Sequence, residues 1–223
     1  MDDDAPKRIE IQDRLLKENE QLAVENKNLY RKHDIKGVFN LIGSPGAGKT
    51  SLLECIIPHL ESAGIIEGDI ATARDAERVH ALSAPALQIN TMGACHLDAN
   101  MLAQVLPDFP LAGVDYLFIE NVGNLVCPTG YDLGEDHKVV VLSLPEGEDK
   151  AAKYPAIFRA STLCVLNKLD LEPHCGVDVE RLEADIRDVN PELEICRVSC
   201  ETGQGIEKLV ERLKQLSRSP SGS

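Results

Sequence analysis

Positive charge is scarce in this chain. Lys and Arg number 23 against 37 Asp and Glu over 223 residues, a formal net charge of −14. A surface of that sign repels phosphate backbones, which excludes a general nucleic-acid binder, yet it tolerates cations well. Long apolar runs are missing as well. None approaches the roughly 20 residues of a membrane span, and the opening "MDDDAPKRIE" is acidic, unlike a secretory signal. The expectations are no nucleic acid, no membrane and a cytoplasmic location. The seven cysteines lack the even number and the spacing of a secreted disulfide framework. In a reducing compartment they are thiols. Cys164 and Cys196, inside strand-like runs, read as core hydrophobes, and Cys55 reads as facing the sheet from a helix. No internal repeat and no Pro- or Gly-rich linker divides the chain.

What is present suits one folded α/β domain with an appendage, since 43% of the residues are apolar. Residues 7 to about 33 read as a polar helix. Leu15, Leu22 and Leu29 recur every seven residues, with Asn19 and Asn26 between them. Two heptads do not make a coiled coil; the helix packs one stripe on the domain or docks a partner. From Gly37 onward strands and helices alternate. "GVFNLI", "GIIEGD", "ALQIN", "VDYLFIE", "KVVVLSL", "STLCVLN" and "LEICRVS" read as strands. The fourth to sixth are continuous apolar runs, as strands covered on both faces should be. Helices are expected at "TSLLECIIPHLESA", "DAERVHALS", "LDANMLAQVLPDF" (with Asp98 as cap), "DVERLEADIRDVN" and "GIEKLVERLKQL", before a loose tail. The pattern predicts a mostly parallel, doubly covered sheet. It divides the chain into a helical extension at 1–35, a P-loop NTPase domain at 36–217 and a tail at 218–223.

"GSPGAGKT", residues 43–50, follows a strand and opens a helix. It fits the P-loop pattern: Gly43, Gly46 and Gly48 let backbone N–H groups curl around phosphate oxygens. Ser44, Ala47 and Ser51 complete that cradle. Lys49 would reach the β- and γ-phosphates and Thr50 would ligate Mg²⁺. "NKLD", residues 167–170, directly follows an apolar strand. Asp170 can accept from the guanine N1–H and N2–H₂ donors, a pair that adenine lacks, so the expected nucleotide is GTP or GDP. Asn167 can bond the base edge and the stem of Lys168 can cover its face. "SCETGQG", with Ser199, Cys200 and Glu201, fits a loop closing over the base. Glu120 ends the strand of "FIENVGNL", where its carboxylate would sit near Mg²⁺, and Gly123 allows the backbone to approach the γ-phosphate. "EGDIATARDAER" holds Asp69, Thr72 and Asp75, a switch segment in which Asp75 acts near Mg²⁺ or caps a helix. No glutamine is obviously placed to orient the attacking water; Gln88 and Gln104 fall inside elements. Slow hydrolysis without a partner or dimerisation follows. A P-loop small-molecule kinase would need basic clamps on an acceptor but not "NKLD", and a nucleotide-binding scaffold would release no phosphate.

Together "GSPGAGKT", "GDIATARDAERV", "GACHLDANM", "ENVGNLVCP" and "NKLDL" resemble the HypB family, GTPases that assist nickel insertion into [NiFe]-hydrogenase, with the urease accessory GTPase UreG a close relative. The likeness runs from about Gly37 to Leu216, in motif order. It implies a GTP-dependent homodimer, a metal site near its interface, a HypA-like nickel chaperone as partner and the hydrogenase large-subunit precursor as client; the alternative is urease maturation. Two departures stand out. Residues 1–30 hold neither the cysteine-rich nor the histidine-rich nickel tract of some members, so tight nickel storage there is not expected. Cys200 replaces the usual Ala, at a position where backbone atoms do the work.

The adjacent Cys95 and His96, and Cys127 just past Glu120 and Gly123, are the candidate ligands for Ni²⁺ or Zn²⁺. They converge if the strands ending at Asn90 and Glu120 lie close in the sheet; otherwise they are unrelated loop side chains. His174 and Cys175 form a rival pair with no third ligand. Lys150 or Lys153 is either ordinary surface charge or a cation reaching across a dimer to phosphate.

Overall fold

The computed structural model describes residues 5–69 and 84–218. The helix expected at "DAERVHALS", and Thr72 and Asp75 with it, lies outside the described residues.

Seven strands form one sheet: β1 (Gly37–Gly43), β2 (Ala63–Asp69), β3 (Ala86–Asn90), β4 (Tyr116–Glu120), β5 (His137–Ser143), β6 (Leu163–Asn167) and β7 (Glu194–Arg197). Their order is β3-β2-β4-β1-β5-β6-β7, and every neighbouring pair is parallel. The sequence expectation of a mostly parallel sheet thus becomes wholly parallel among the described strands. β1, β4 and β6 are buried along their whole length, which is why their sequences carry no polar alternation. Strand order reverses around β1, so its carboxyl end opens into the crevice where parallel α/β sheets bind ligands.

The helices are α1 (Ala5–Lys32), α2 (Lys49–Ile56), α3 (Ala99–Val105), α4 (Lys150–Lys153), α5 (Pro155–Ala160), α6 (Glu172–Cys175), α7 (Val179–Val189) and α8 (Ile206–Arg218). One face of the central strands buries Phe39, Leu41, Val139, Val141 and Val165 under α2 and α8. The other face buries Ile42, Val140, Leu142, Cys164 and Leu166 under α5 and α7. Cys164 and Cys196 are buried as core side chains. The helix after the P-loop is shorter than its apolar pattern suggests. Pro58 sits in a 3₁₀ turn, Ile57–His59, because its ring cannot continue an α-helical ladder. α4 and α5 lie in the crossover from β5 to β6 and are too short for a helical period to show in the sequence.

α1 packs on α3, and of its leucine heptad Leu29 packs partly buried against the core. The buried stripe of α1 is Asn19, Ala23, Asn26 and Tyr30, whereas Leu15 is 57% exposed. Asn19 accepts from the backbone N–H of Ala99 at 2.8 Å and donates to the Asp132 carbonyl at 2.8 Å. Asn26 donates to the Ala99 carbonyl at 3.0 Å. The first N–H groups of any helix lack internal partners. Asn19 supplies one to α3, and Asp98 supplies another by accepting from the Met101 N–H at 2.8 Å. Polar residues therefore win the seam: they satisfy backbone that leucines would have left bare.

Candidate functional site

Two adjoining cavities open at the carboxyl edge of the sheet. The first, about 530 Å³, is lined by the P-loop, Thr50, Ser51, Glu120 and Gly123. The second, about 640 Å³, is lined by Glu54, Cys55, Asn167, Asp170, Cys200 and Glu201. Gly48, Ser51 and Lys168 border both.

The loop between β1 and α2 takes its shape from glycine. Gly46 and Gly48 have φ of +78° and +91°, a region that L side chains rarely enter. A Cβ on Gly48 would also lie 2.5 Å from Asn167 Nδ2. The turn leaves backbone N–H groups and the start of α2 facing the first cavity, an arrangement suited to an anion. Ser44 accepts from the Ala47 N–H at 3.1 Å within this turn. Lys49 is buried, with Nζ 4.0 Å from Glu120 Oε1, and the Thr50 hydroxyl donates to the same oxygen at 2.9 Å. An all-oxygen pair of hydroxyl and carboxylate fits a hard divalent cation. Gly123 lies against Pro45, so the segment after Glu120 touches the P-loop directly. Asp69 ends β2 by its backbone.

At the second cavity, Asn167 donates to the Ala47 carbonyl at 3.1 Å and accepts from the Lys168 N–H at 2.8 Å. Lys168 takes a left-handed conformation, and its Nζ donates to the Gly46 carbonyl at 2.7 Å, laying its stem across the P-loop. Ser199 donates to Asp170 and so orients the carboxylate, and its own oxygen accepts from the Thr202 N–H at 3.2 Å. Cys55, half-buried on α2, packs against the sheet-side core as its sequence suggests, and it also lines this cavity and donates to the Cys200 carbonyl at 3.5 Å. Burial, then the neighbouring Cys55 thiol, pushes Cys200 up to about 12, so it stays a neutral thiol.

Cys95, His96 and Cys127 come together, each offering one ligand atom within 4.8 Å of the others. Cys95 Sγ is 3.4 Å from His96 Nδ1. The strands ending at Asn90 and Glu120 are not adjacent; both flank β2, and their loops still meet. A hydrogen bond with the Cys127 thiol, then desolvation, raises the Cys95 thiol above its ordinary range. Burial lowers the His96 imidazole, which favours the neutral form that ligates metals. The ring of Tyr131 lies 3.9 Å from that of His96, centroid to centroid, and holds it in place. Two thiols and an imidazole suit Zn²⁺ and Ni²⁺ alike. The rival pair is split: His174 is exposed, and half-buried Cys175 donates to the Glu172 carbonyl. Lys150 and Lys153 pair with Glu146 and Asp149, each four residues earlier in the chain.

The chain matches the family described as "CobW/HypB/UreG, nucleotide-binding domain" over residues 37–197. It is 46% identical to the hydrogenase maturation factor HypB of Escherichia coli K12, across 92% of this chain and 72% of that protein. This chain belongs to the HypB family of hydrogenase maturation factors. Two solved HypB structures carry the same fold. That from Archaeoglobus fulgidus matches with TM-score 0.84 at 38% identity, over 90% of this chain and 98% of that one. That from Helicobacter pylori, solved in complex with nickel, matches with TM-score 0.86 at 35% identity, over 92% and 98%.

Some residues at this edge carried no role in the sequence reading. Glu67 is buried and lies in register with Glu120 on the neighbouring strand. A carboxylate inside the apolar run "GIIEGD" was the available signal. Asn40, Asn121 and Glu135 are also buried polar groups, and Asn40 interrupts the apolar "GVFNLI" in the same way.

Proposed function

We propose that this HypB-family chain binds GTP, hydrolyses it slowly and delivers nickel during maturation of [NiFe]-hydrogenase in the cytoplasm. The P-loop backbone with Ser44, Ala47 and Ser51 receives the phosphates, and Lys49 neutralises the β- and γ-phosphates. Thr50 and Glu120 would hold Mg²⁺, with Asp69 and Asp75 of the switch segment as further candidate ligands, and the ion would supply charge neutralisation at the γ-phosphate. Asp170 accepts from the guanine donors, Asn167 and Lys168 hold the base, and the Ser199–Glu201 loop closes over it. Gly123 lets the strand end approach the γ-phosphate. Cys95, His96 and Cys127 hold the cargo, Ni²⁺, with Zn²⁺ as competitor. The working form is a GTP-dependent homodimer that receives nickel from a HypA-like chaperone and serves the large-subunit precursor. The nickel complex of the Helicobacter pylori relative supports the choice of cargo.

The observation that supports this reading most is the meeting of two thiols and an imidazole within 4.8 Å, beside the loop that follows Glu120. Titration of the full chain with Ni²⁺ tests it. One tight site per subunit is expected, lost in both Cys95→Ala and Cys127→Ala. Parent-like binding by both variants would remove the site. Phosphate release from GTP with no acceptor present separates a GTPase from a kinase.

A further inference from the structure

The segment Glu120–Val126 contributes Glu120, Asn121, Val122 and Gly123 to the lining of the first cavity, and it carries a second asparagine, Asn124. Both asparagines reach the metal loops. Asn121 is buried; its Oδ1 accepts from the backbone N–H of Leu97 and of Val122, each at 3.0 Å. Two N–H groups aimed at one atom identify it as the oxygen. Its Nδ2 donates to Asn40 Oδ1 at 3.2 Å, which anchors it on β1. Asn124 bridges Gly43, the first P-loop residue, through its backbone. Its Nδ2 donates to the Cys95 carbonyl at 3.3 Å, and its Oδ1 accepts from the Val126 N–H at 2.8 Å. One amide thus spans the carbonyl of one thiol residue and the residue before the other. Leu97 follows His96, so the two asparagines grip the Cys95–Leu97 loop at both ends.

Resting on the GTPase and nickel reading above, we propose that Asn121 and Asn124 are the positioning residues that couple nucleotide state to metal affinity. A displacement of the Glu120–Gly123 backbone toward a γ-phosphate carries Asn121 Oδ1 and Asn124 Nδ2 with it. Leu97 N–H and the Cys95 carbonyl must follow or lose their partners. Inside a protein an unmade bond costs more than a made one gains, so following is favoured. Cys127 directly follows this segment, next to Val126, whose N–H Asn124 holds. The triad therefore changes shape when the γ-phosphate is present. Each link crosses only 24 and 29 residues of sequence, but no local rule of the chain specifies it.

The measurement is the Ni²⁺ dissociation constant of the full chain, with GDP–Mg²⁺ and with a non-hydrolysable GTP analogue and Mg²⁺. In the parent the two constants should differ about fivefold or more, a typical allosteric coupling. In Asn124→Ala and in Asn121→Ala the ratio should fall to within about twofold of unity. Asn124→Asp keeps the bond from Val126, loses the donation to Cys95 and adds a negative charge present in both nucleotide states, so it should also abolish the ratio. A purely structural role would weaken binding in both states and leave the ratio intact; that result overturns the proposal. A parent ratio of unity overturns it too, while leaving metal binding, judged by Cys95→Ala, in place. Asn124 is half-exposed and its variants should fold. For buried Asn121, amide hydrogen exchange of Leu97 in the unmodified protein gives an independent answer. Its protection must change when the GTP analogue replaces GDP, and an unchanged rate refutes the link.

Discussion

The two sides of β1 hold their chemistry differently. On the β5–β6 side the second cavity is built from contiguous motifs, whose side chains combine bonds to near neighbours with bonds to the P-loop, Asn167 to Ala47 and Lys168 to Gly46. Asn167 bonds Lys168, and Ser199 bonds Thr202 and Asp170. On the β2–β4 side the three soft ligands sit on two loops whose geometry is set from far away. Asn19 reaches Ala99 and Asp132 across 80 and 113 residues, and Asn40 reaches Glu135 across 95. A nucleotide site needs a fixed shape, which glycine-shaped turns supply locally. The proposed cargo site has to change affinity, and side chains braced by long-range bonds respond when any braced element moves.

That contrast predicts effects that stay on one side or cross over. The largest is Asp170→Asn. In the proposed function its carboxylate accepts from two guanine donors, so GTP affinity should fall about 10⁴-fold while xanthosine triphosphate gains. Competition of both nucleotides against a fluorescent GDP analogue checks this. Ni²⁺ affinity without nucleotide should not change; if it does, the two sides are not separately held.

Next is Glu135→Gln, behind the metal loops. Glu135 is buried, pairs with Lys138, and accepts from Asn40 at 3.1 Å and Leu133 N–H at 2.6 Å. The variant strands a half-buried lysine, at a cost of about 3 to 5 kcal/mol in urea unfolding. Burial by itself would raise the Glu135 carboxyl, but Lys138 and the accepted bonds outweigh it and hold it below its ordinary value. With the folded pKa depressed, its stabilisation is present above the ordinary carboxylate value of about 4.3 and erodes as pH falls below it. Unfolding measured against pH should show that acid limb in the parent and a shallower one in the variant.

The smallest is Asn26→Leu on α1, which removes bonds to the Ala99 and Leu133 carbonyls. It should destabilise by about 1 to 3 kcal/mol and weaken Ni²⁺ binding without altering GDP binding. Equal weakening of both ligands would show that α1 supports the whole sheet edge and not the metal loops in particular.

Much of this was legible beforehand. Alternating apolar runs and turns announce the parallel sheet, because a strand covered on both faces has no polar positions to spare. The P-loop and "NKLD" are legible because their chemistry uses neighbouring residues. The adjacency of Cys95 and His96 was visible, and so was Cys127, but their convergence was conditional on strand neighbours. In the event β2 lies between the two strands, and the loops meet above it.

The sequence by itself determined what is local: strand and helix periodicity, the left-handed glycines of the phosphate loop, the Asp98 cap and the oxygen donors that follow β1 and β4. Tertiary structure alone decided which stripe of α1 is buried and that Cys55 also borders the second cavity. It also decided that Asn40, Asn121 and Asn124 join the P-loop side to the metal loops. The reason is physical. A hydrogen bond between residues 24 to 113 positions apart leaves no periodic trace in the chain, because its partners are chosen by the strand order and not by spacing.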